Sequence, residues 1–110
     1  MEQNNFIIVL TTVETEQQTE ELSQKILEKK LGACVQTQKI KSRYWWKGEI
    51  KCGDEYLLSI KTKTKLFSDL SKFIEKNHPY ETPEIVQIPI INGSDEYLEW
   101  LESVLICEKS

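Results

Sequence analysis

Phe6-Ile7-Ile8-Val9-Leu10 is an unbroken apolar run rich in β-branched residues, the pattern of a central strand covered on both faces. The period then changes. Leu22, Ile26 and Leu27 form an apolar stripe after Thr15, and Thr15 with Gln18 has the spacing of a capping box. Glu16, Glu20 and Glu21 come early and Lys25, Lys29 and Lys30 late, an order that suits the helix dipole, with Gly32 placed to end the helix. From Ala33 to Trp46 strand alternation sets Cys34, Gln36, Gln38, Ile40, Ser42, Tyr44 and Trp46 on one face. Lys47-Gly48 predicts a two-residue hairpin turn. The return strand is expected from about Glu49 to Thr62, with Tyr56, Leu58 and Ile60 on one face and a bulge at Cys52-Gly53-Asp54.

A second helix is predicted from about Lys65 to Asn77, with Leu66, Leu70, Phe73 and Ile74 as its core face. Pro79 ends it, because proline has no N–H and disfavours helical geometry at His78. Pro83 stiffens the connector that follows, so His78, Tyr80 and Glu81 are held rather than loose. Ile85 to Ile90 reads as a strand, and Pro89 within it implies an edge position or a strand end. Ser94 caps a last helix, with Asp95 and Glu96 in its first turn and Tyr97, Leu101, Val104 and Leu105 as its stripe beside Trp100.

The order β-α-β-β-α-β-α predicts an α+β fold: a ferredoxin-like split βαβ sandwich with a long hairpin between the second and third strands and an extra C-terminal helix. Right-handed crossovers put the two main helices on one face and leave the other bare. Hairpin strands about twice the usual five or six residues must project beyond a small domain. A bare face and an overlong hairpin together predict a homo-oligomer.

Composition bounds the function. The chain has 110 residues, 39% hydrophobic and 29% charged, with a net charge of −4, which fits a single domain over residues 1–110 with its core at about 6–105. One arginine, Arg43, and a net negative charge argue against a nucleic-acid partner. Lys39, Lys41, Lys47 and Lys51 cluster around it, as lysines do on solvated strand edges. The longest apolar run is too short for a membrane span, and Met1-Glu2-Gln3-Asn4-Asn5 lacks the basic start of a signal peptide. Cys34, Cys52 and Cys107 are odd in number and form no C-x-x-C or zinc spacing, so a cytoplasmic protein with reduced thiols is expected.

The chemistry-bearing residues each carry two readings. His78, the one histidine, is a candidate copper or zinc ligand, or a helix-end group that complements the dipole. Cys34 is a candidate metal thiolate or an inert buried thiol. Glu81 and Glu84 are candidate ligands or acid–base groups, or structural carboxylates that cap or pair with Lys61 of a neighbouring copy. Tyr44, Trp45, Trp46 and Trp100 stack a planar ligand or pack between subunits. A lone histidine gives little choice of general base, no Ser-His or Cys-His pairing is readable, and the glycine-rich loop of acylphosphatase-like enzymes is missing, so no enzyme is expected.

Several separated segments, in order, resemble the CutA family of divalent-cation tolerance proteins. They are Ala33-Cys34-Val35, Tyr44-Trp45-Trp46-Lys47-Gly48, Glu55 with Lys61-Thr62, His78-Pro79-Tyr80-Glu81-Thr82-Pro83-Glu84-Ile85, Pro89-Ile90 and Tyr97-Leu98-Glu99-Trp100. The resemblance implies a homotrimer in which long hairpins pack on neighbouring subunits, kinship in shape to PII signalling proteins, and a role in tolerance to copper and other divalent metals. It implies a cation site with His78, Cys34 and Glu81 as metal ligands, in a cleft between subunits lined by Tyr44, Trp46, Lys61, Tyr80 and Trp100. The alternative it carries is a PII-like signalling or scaffold trimer that takes a small anionic ligand or a protein partner. In copper-binding bacterial members a cysteine near the end of the first strand and two adjacent histidines before the Pro-Tyr supply the ligands; those positions here are Thr11, Asn77 and His78. Gln36 also stands where the family has asparagine.

Overall fold

The computed structural model describes residues 5–107, so Met1-Glu2-Gln3-Asn4 of the polar N-terminus lies outside it. Its elements are β1 (Phe6–Val13), α1 (Glu16–Glu28), β2 (Cys34–Trp46), β3 (Glu49–Lys63), a 3₁₀ turn (Thr64–Leu66), α2 (Phe67–Asn77), β4 (Val86–Ile90) and α3 (Asp95–Val104). The four strands form one antiparallel sheet in the order β2-β3-β1-β4. This is the ferredoxin-like α+β fold expected from the element order, with the crossovers placing β1 between β3 and β4.

β1 runs three residues beyond its apolar start, through Thr11 and Thr12 to Val13, because threonine suits a strand as well as valine does. Ile7, Val9, Thr11 and Val13 are buried beneath α1 and α2, where they meet Leu58 and Ile60 of β3 and Leu22, Ile26, Leu70 and Ile74 of the helices. The opposite face carries Phe6, Ile8 and Leu10, which are only half-buried. The expectation of cover on both faces therefore holds for one face alone within a protomer. α3 covers one end of the second face, where Lys61 and Lys63 reach Tyr97 and Glu102.

Local signals explain the element ends. The Thr15 hydroxyl accepts from the Gln18 N–H at 3.1 Å and the Gln18 side chain accepts from the Thr15 N–H at 3.1 Å, a complete capping box. At the other end of α1, Lys30 takes the left-handed conformation (φ 59°), and Leu31 N–H and Lys30 N–H bond back to Ile26 and Leu27 carbonyls. That is a Schellman ending with lysine in place of glycine. Gly32 is not the terminator expected of it. A Cβ there would lie 2.7 Å from Ile60 Cγ2 and 2.9 Å from Ile26 Cγ2, so the glycine is required by close packing.

The hairpin closes through Lys47 (φ 50°) and Gly48 (φ 79°), a pair of left-handed residues that matches strand twist. Pairing runs one for one from Trp46↔Glu49 to Cys34↔Lys61, including Arg43↔Cys52, Ser42↔Gly53 and Lys41↔Asp54. The bulge expected at Cys52-Gly53-Asp54 is absent. Gly53 sits on an open surface, with nothing within 4 Å of a Cβ built on it, so the strand passes through it unbent. The hairpin projects: Trp45 is 71% exposed and Ile50 64%. The radius of gyration, 14.8 Å, exceeds the ~13 Å of a compact chain this long.

A candidate cation-binding cleft at the hairpin base

Alternation sets Ser42, Tyr44 and Trp46 of β2 and Glu55 of β3 on the face away from α1 and α2. Glu55 is the hub. Its Oε1 accepts from the Ser42 hydroxyl at 2.7 Å and its Oε2 from the Tyr80 hydroxyl at 2.9 Å. Tyr80 is placed by the proline-stiffened connector, which in turn is pinned by His78. The Tyr80 N–H donates to His78 Nδ1 at 3.1 Å, so Nδ1 is an acceptor and the proton sits on Nε2, which donates to the Thr12 carbonyl at 2.7 Å. The His78 and Tyr80 rings meet edge-on, 4.8 Å between centroids. One chain of contacts thus links β1, the connector, β3 and β2.

Burial lowers the His78 pKa below its ordinary value, and the Thr12 carbonyl and the Glu55 charge oppose that shift without cancelling it. Burial raises the Tyr80 pKa, and its hydrogen bond to Glu55 and the Glu55 charge raise it further. His78 is thereby held as a neutral imidazole and Tyr80 as a donor.

Between the hairpin base and the connector lies a cleft of about 610 Å³. Tyr44, Trp46, Tyr80 and Glu81, all expected to share a site, line it together, with Thr12 among its buried residues. Glu14, Asp54, Glu55, Glu81 and Glu84 contribute five carboxylates and Arg43 the one cationic side chain. Glu55, Ser42 and Thr12 were not anticipated as site residues. Once the hairpin register is known, Ser42 opposite Gly53 puts Glu55 on the same face two residues along.

The other expected residues lie elsewhere in the protomer. Lys61 is opposite Cys34 on β2 and opposite Ile8 on β1, six residues along β3 from Glu55, or about 20 Å. There the Lys61 ammonium donates to the Tyr97 hydroxyl at 3.3 Å, and the Tyr97 ring lies 5.6 Å from Trp100. Within the protomer Lys61 and Trp100 therefore belong to an α3 cluster. His78 backs onto a smaller hollow of about 330 Å³ between α1 and α2, flanked by Lys25 and Lys76.

The expected metal ligands are not brought together in one protomer. Among the described residues no group of three His, Cys, Asp or Glu side chains is placed to hold a metal. Half-buried Cys34 lies level with Ile8, and His78 is bonded at Thr12, four residues or about 13 Å farther along β1. Both His78 nitrogens are already engaged. Thr11, at the position of the copper-binding cysteine, is 0% exposed with its hydroxyl lacking a partner among the described residues. The Asn77 amide donates to the Phe73 carbonyl at 2.8 Å. This donor set does not fit a thiolate–imidazole copper centre.

The chain is thus a small ferredoxin-like domain with an overlong hairpin and an acidic cleft at the hairpin base. The chain belongs to the family described as CutA1 divalent ion tolerance protein, which matches residues 7–104. It is 42% identical over 101 residues to the divalent-cation tolerance protein CutA of Thermotoga maritima, covering 91% of this chain and 100% of that one. It is 35% identical over 102 residues to the protein of that name from Archaeoglobus fulgidus, covering 93% and 98%. It is also 40% identical to the chloroplastic CutA of Arabidopsis thaliana over 98 residues, but spans only 54% of that longer protein. The structure of CutA from Synechococcus elongatus superposes with a TM-score of 0.91 at 35% identity, over 96% of this chain and 95% of that one.

Proposed function

We propose that this protein acts in divalent-cation tolerance as a homotrimeric, non-enzymatic binding protein, and that its cations are held at the acidic cleft. The observation that carries the reading is the charge of that cleft, five carboxylates, of which Asp54 is paired with Lys41, against one lining guanidinium, around a Glu55 clamped by Ser42 and Tyr80. Clustered carboxylates attract cations and suit oxygen-preferring metals. Because no three ligands converge among the described residues of one protomer, the cation keeps much of its water and binds weakly unless a second subunit adds donors.

Exposed apolar surface supports the trimer. Tyr44, Trp45, Trp46 and Ile50 stand out on the hairpin, and Val86 and Ile88 beside Ile8 and Leu10 on the uncovered sheet face. A soluble chain buries such surface against a partner, and copies of this chain are the partner proposed here. The one imidazole has no free nitrogen to serve as a base, in keeping with a binding role. Three free thiols agree with a cytoplasmic setting. The PII-like alternative with a small anionic ligand is less favoured, since carboxylates outnumber the cationic groups at this cleft even with Arg43 and the Lys41–Asp54 pair counted.

Light scattering tests the assembly: a mass of three times 12.9 kDa is expected, and a monomer at micromolar concentration would overturn it. Titration of metal-free protein with Mn²⁺ tests the site. Weak saturable binding that is lost in the double variant Glu81→Gln, Glu84→Gln is expected, and no binding would overturn the cation reading.

A further inference from the structure

We propose that Asn92 is a self-modification site, at which the folded chain deamidates by attack of the Gly93 main-chain nitrogen on the Asn92 side-chain amide. Asn92-Gly93 is the one Asn-Gly pair in the sequence. It lies in the segment 91–94 between β4 and α3, where no strand or helix holds the backbone, and both residues are exposed. Ile91 beside them is 85% exposed, so water reaches the segment freely. Connecting segments of this kind are also more mobile than the elements they join, which lets the amide rotate into line for attack.

The geometry brings the reacting groups together. The Gly93 N–H donates to Asn92 Oδ1 at 2.8 Å, which sets the side-chain carbonyl against the nitrogen that attacks it. Attack within one residue pair replaces an encounter between separate molecules, and such positioning removes a large part of a barrier. The same hydrogen bond draws electron density toward Oδ1 and leaves Cγ more electrophilic. A peptide nitrogen is a poor nucleophile while its lone pair is shared with its carbonyl, so the reaction waits on loss of the N–H proton. Glycine at position 93 leaves the approach open, since it has no Cβ. Packing favours a glycine there as well: a Cβ would lie 3.1 Å from Leu98 Cδ2.

The step needs no oxidant or reductant. Solvent hydroxide takes the Gly93 N–H proton, and the nitrogen lone pair forms a bond to Asn92 Cγ. The Cγ–Nδ2 bond breaks as Nδ2 takes a proton from water and leaves as ammonia. Water then opens the resulting succinimide ring at Cγ to give aspartate, or at the main-chain carbonyl to give isoaspartate. Aspartate adds a negative charge ahead of Asp95 and Glu96 in the first turn of α3, a helix end that favours anions. Isoaspartate lengthens the main chain by a methylene just before the Ser94 cap, whose Oγ accepts from the Tyr97 N–H at 3.3 Å. The body of α3 stays seated through Leu101, which is buried, and through Lys63–Glu102 at 2.7 Å. Asn77 is not equivalent: its amide donates to the Phe73 carbonyl at 2.8 Å, and the residue after it is His78, whose ring is held by Thr12.

The test is peptide mapping by mass spectrometry of the full chain kept at neutral and at mildly alkaline pH, beside the same chain unfolded in guanidinium chloride. Circular dichroism confirms that the native sample and each variant stay folded. The folded chain is expected to convert at residue 92 to a mixture of aspartate and isoaspartate at least as fast as the unfolded chain, and faster at the higher pH, with Asn77 unchanged. Asn92→Gln and Gly93→Ala should each slow conversion at residue 92 by about tenfold or more. Slower conversion in the folded chain than in the unfolded one overturns the proposal, because the native segment would then protect Asn92. Conversion of Asn77 as fast as Asn92, or a rate unchanged in Gly93→Ala, overturns it too.

Discussion

The Tyr80 hydroxyl donates to Glu55 Oε2 at 2.9 Å, joining the proline-bounded connector to the middle of β3. Tyr80→Phe removes this donor and leaves Glu55 with Ser42 as its remaining partner in the clamp. A hydrogen bond to a charged acceptor contributes about 1.5–3 kcal/mol when buried. Since Glu55 and Tyr80 are half-buried, a loss of about 1–2 kcal/mol is expected. Urea denaturation of the two proteins measures it, and an unchanged midpoint would mean the clamp contributes nothing to stability.

His78 makes stability depend on pH. Its pKa in the folded chain lies below the ordinary 6.5, so the unfolded chain binds the proton more readily. Its contribution is therefore complete above about pH 6.5 and is lost as pH falls through the lower folded value. Protonation also sets an N–H on Nδ1 against the Tyr80 N–H that it now accepts. With one histidine in the chain, the imidazole signals in a proton NMR titration are unambiguous. A midpoint below 6.5 is predicted; a midpoint at or above it would contradict the burial argument.

Two glycines should respond in opposite ways to alanine. At Gly32 the added methyl meets Ile60 and Ile26, both 0% exposed, at under 3 Å. Overpacking of this kind costs about 1–3 kcal/mol. At Gly53 nothing lies within 4 Å of the added methyl, and Gly53→Ala should stay within about 0.5 kcal/mol of wild type. Thermal melts of both variants check the pair, and equal losses would refute the distinction.

Thr11 offers a stabilising change. Its hydroxyl is buried and unpartnered among the described residues. Thr11→Val keeps the shape, removes the unsatisfied group, and should stabilise the fold by about 1 kcal/mol. A fall in the denaturation midpoint would reveal a partner for the hydroxyl.

Much of the fold was legible because its signals are local. The Thr15–Gln18 capping box, the Lys47-Gly48 turn and the change from period 2 to period 3.6 each depend on a few adjacent residues. Gly32 was misread because its reason is non-local: it makes room for Ile60, which is 28 positions away. At Gly53 a glycine within a strand suggested a bulge, but pairing with Ser42 continues through it. The site divided in the same way. Tyr44, Trp46, Tyr80 and Glu81 do share a cleft, whereas Lys61 and Trp100 are drawn to α3. Cys34 is set by register at the far end of the sheet from His78. Motif membership marked these residues as noteworthy without encoding the distances between them.

The central claim is that cations are held by the carboxylates of the cleft and not by Cys34 and His78. Calorimetric titration of metal-free protein with Cu²⁺ separates the two most directly, in wild type, Cys34→Ser, and the Glu81→Gln, Glu84→Gln double variant. The account predicts weak binding that survives Cys34→Ser and disappears in the double variant. Tight binding lost in Cys34→Ser and retained in the double variant would contradict it.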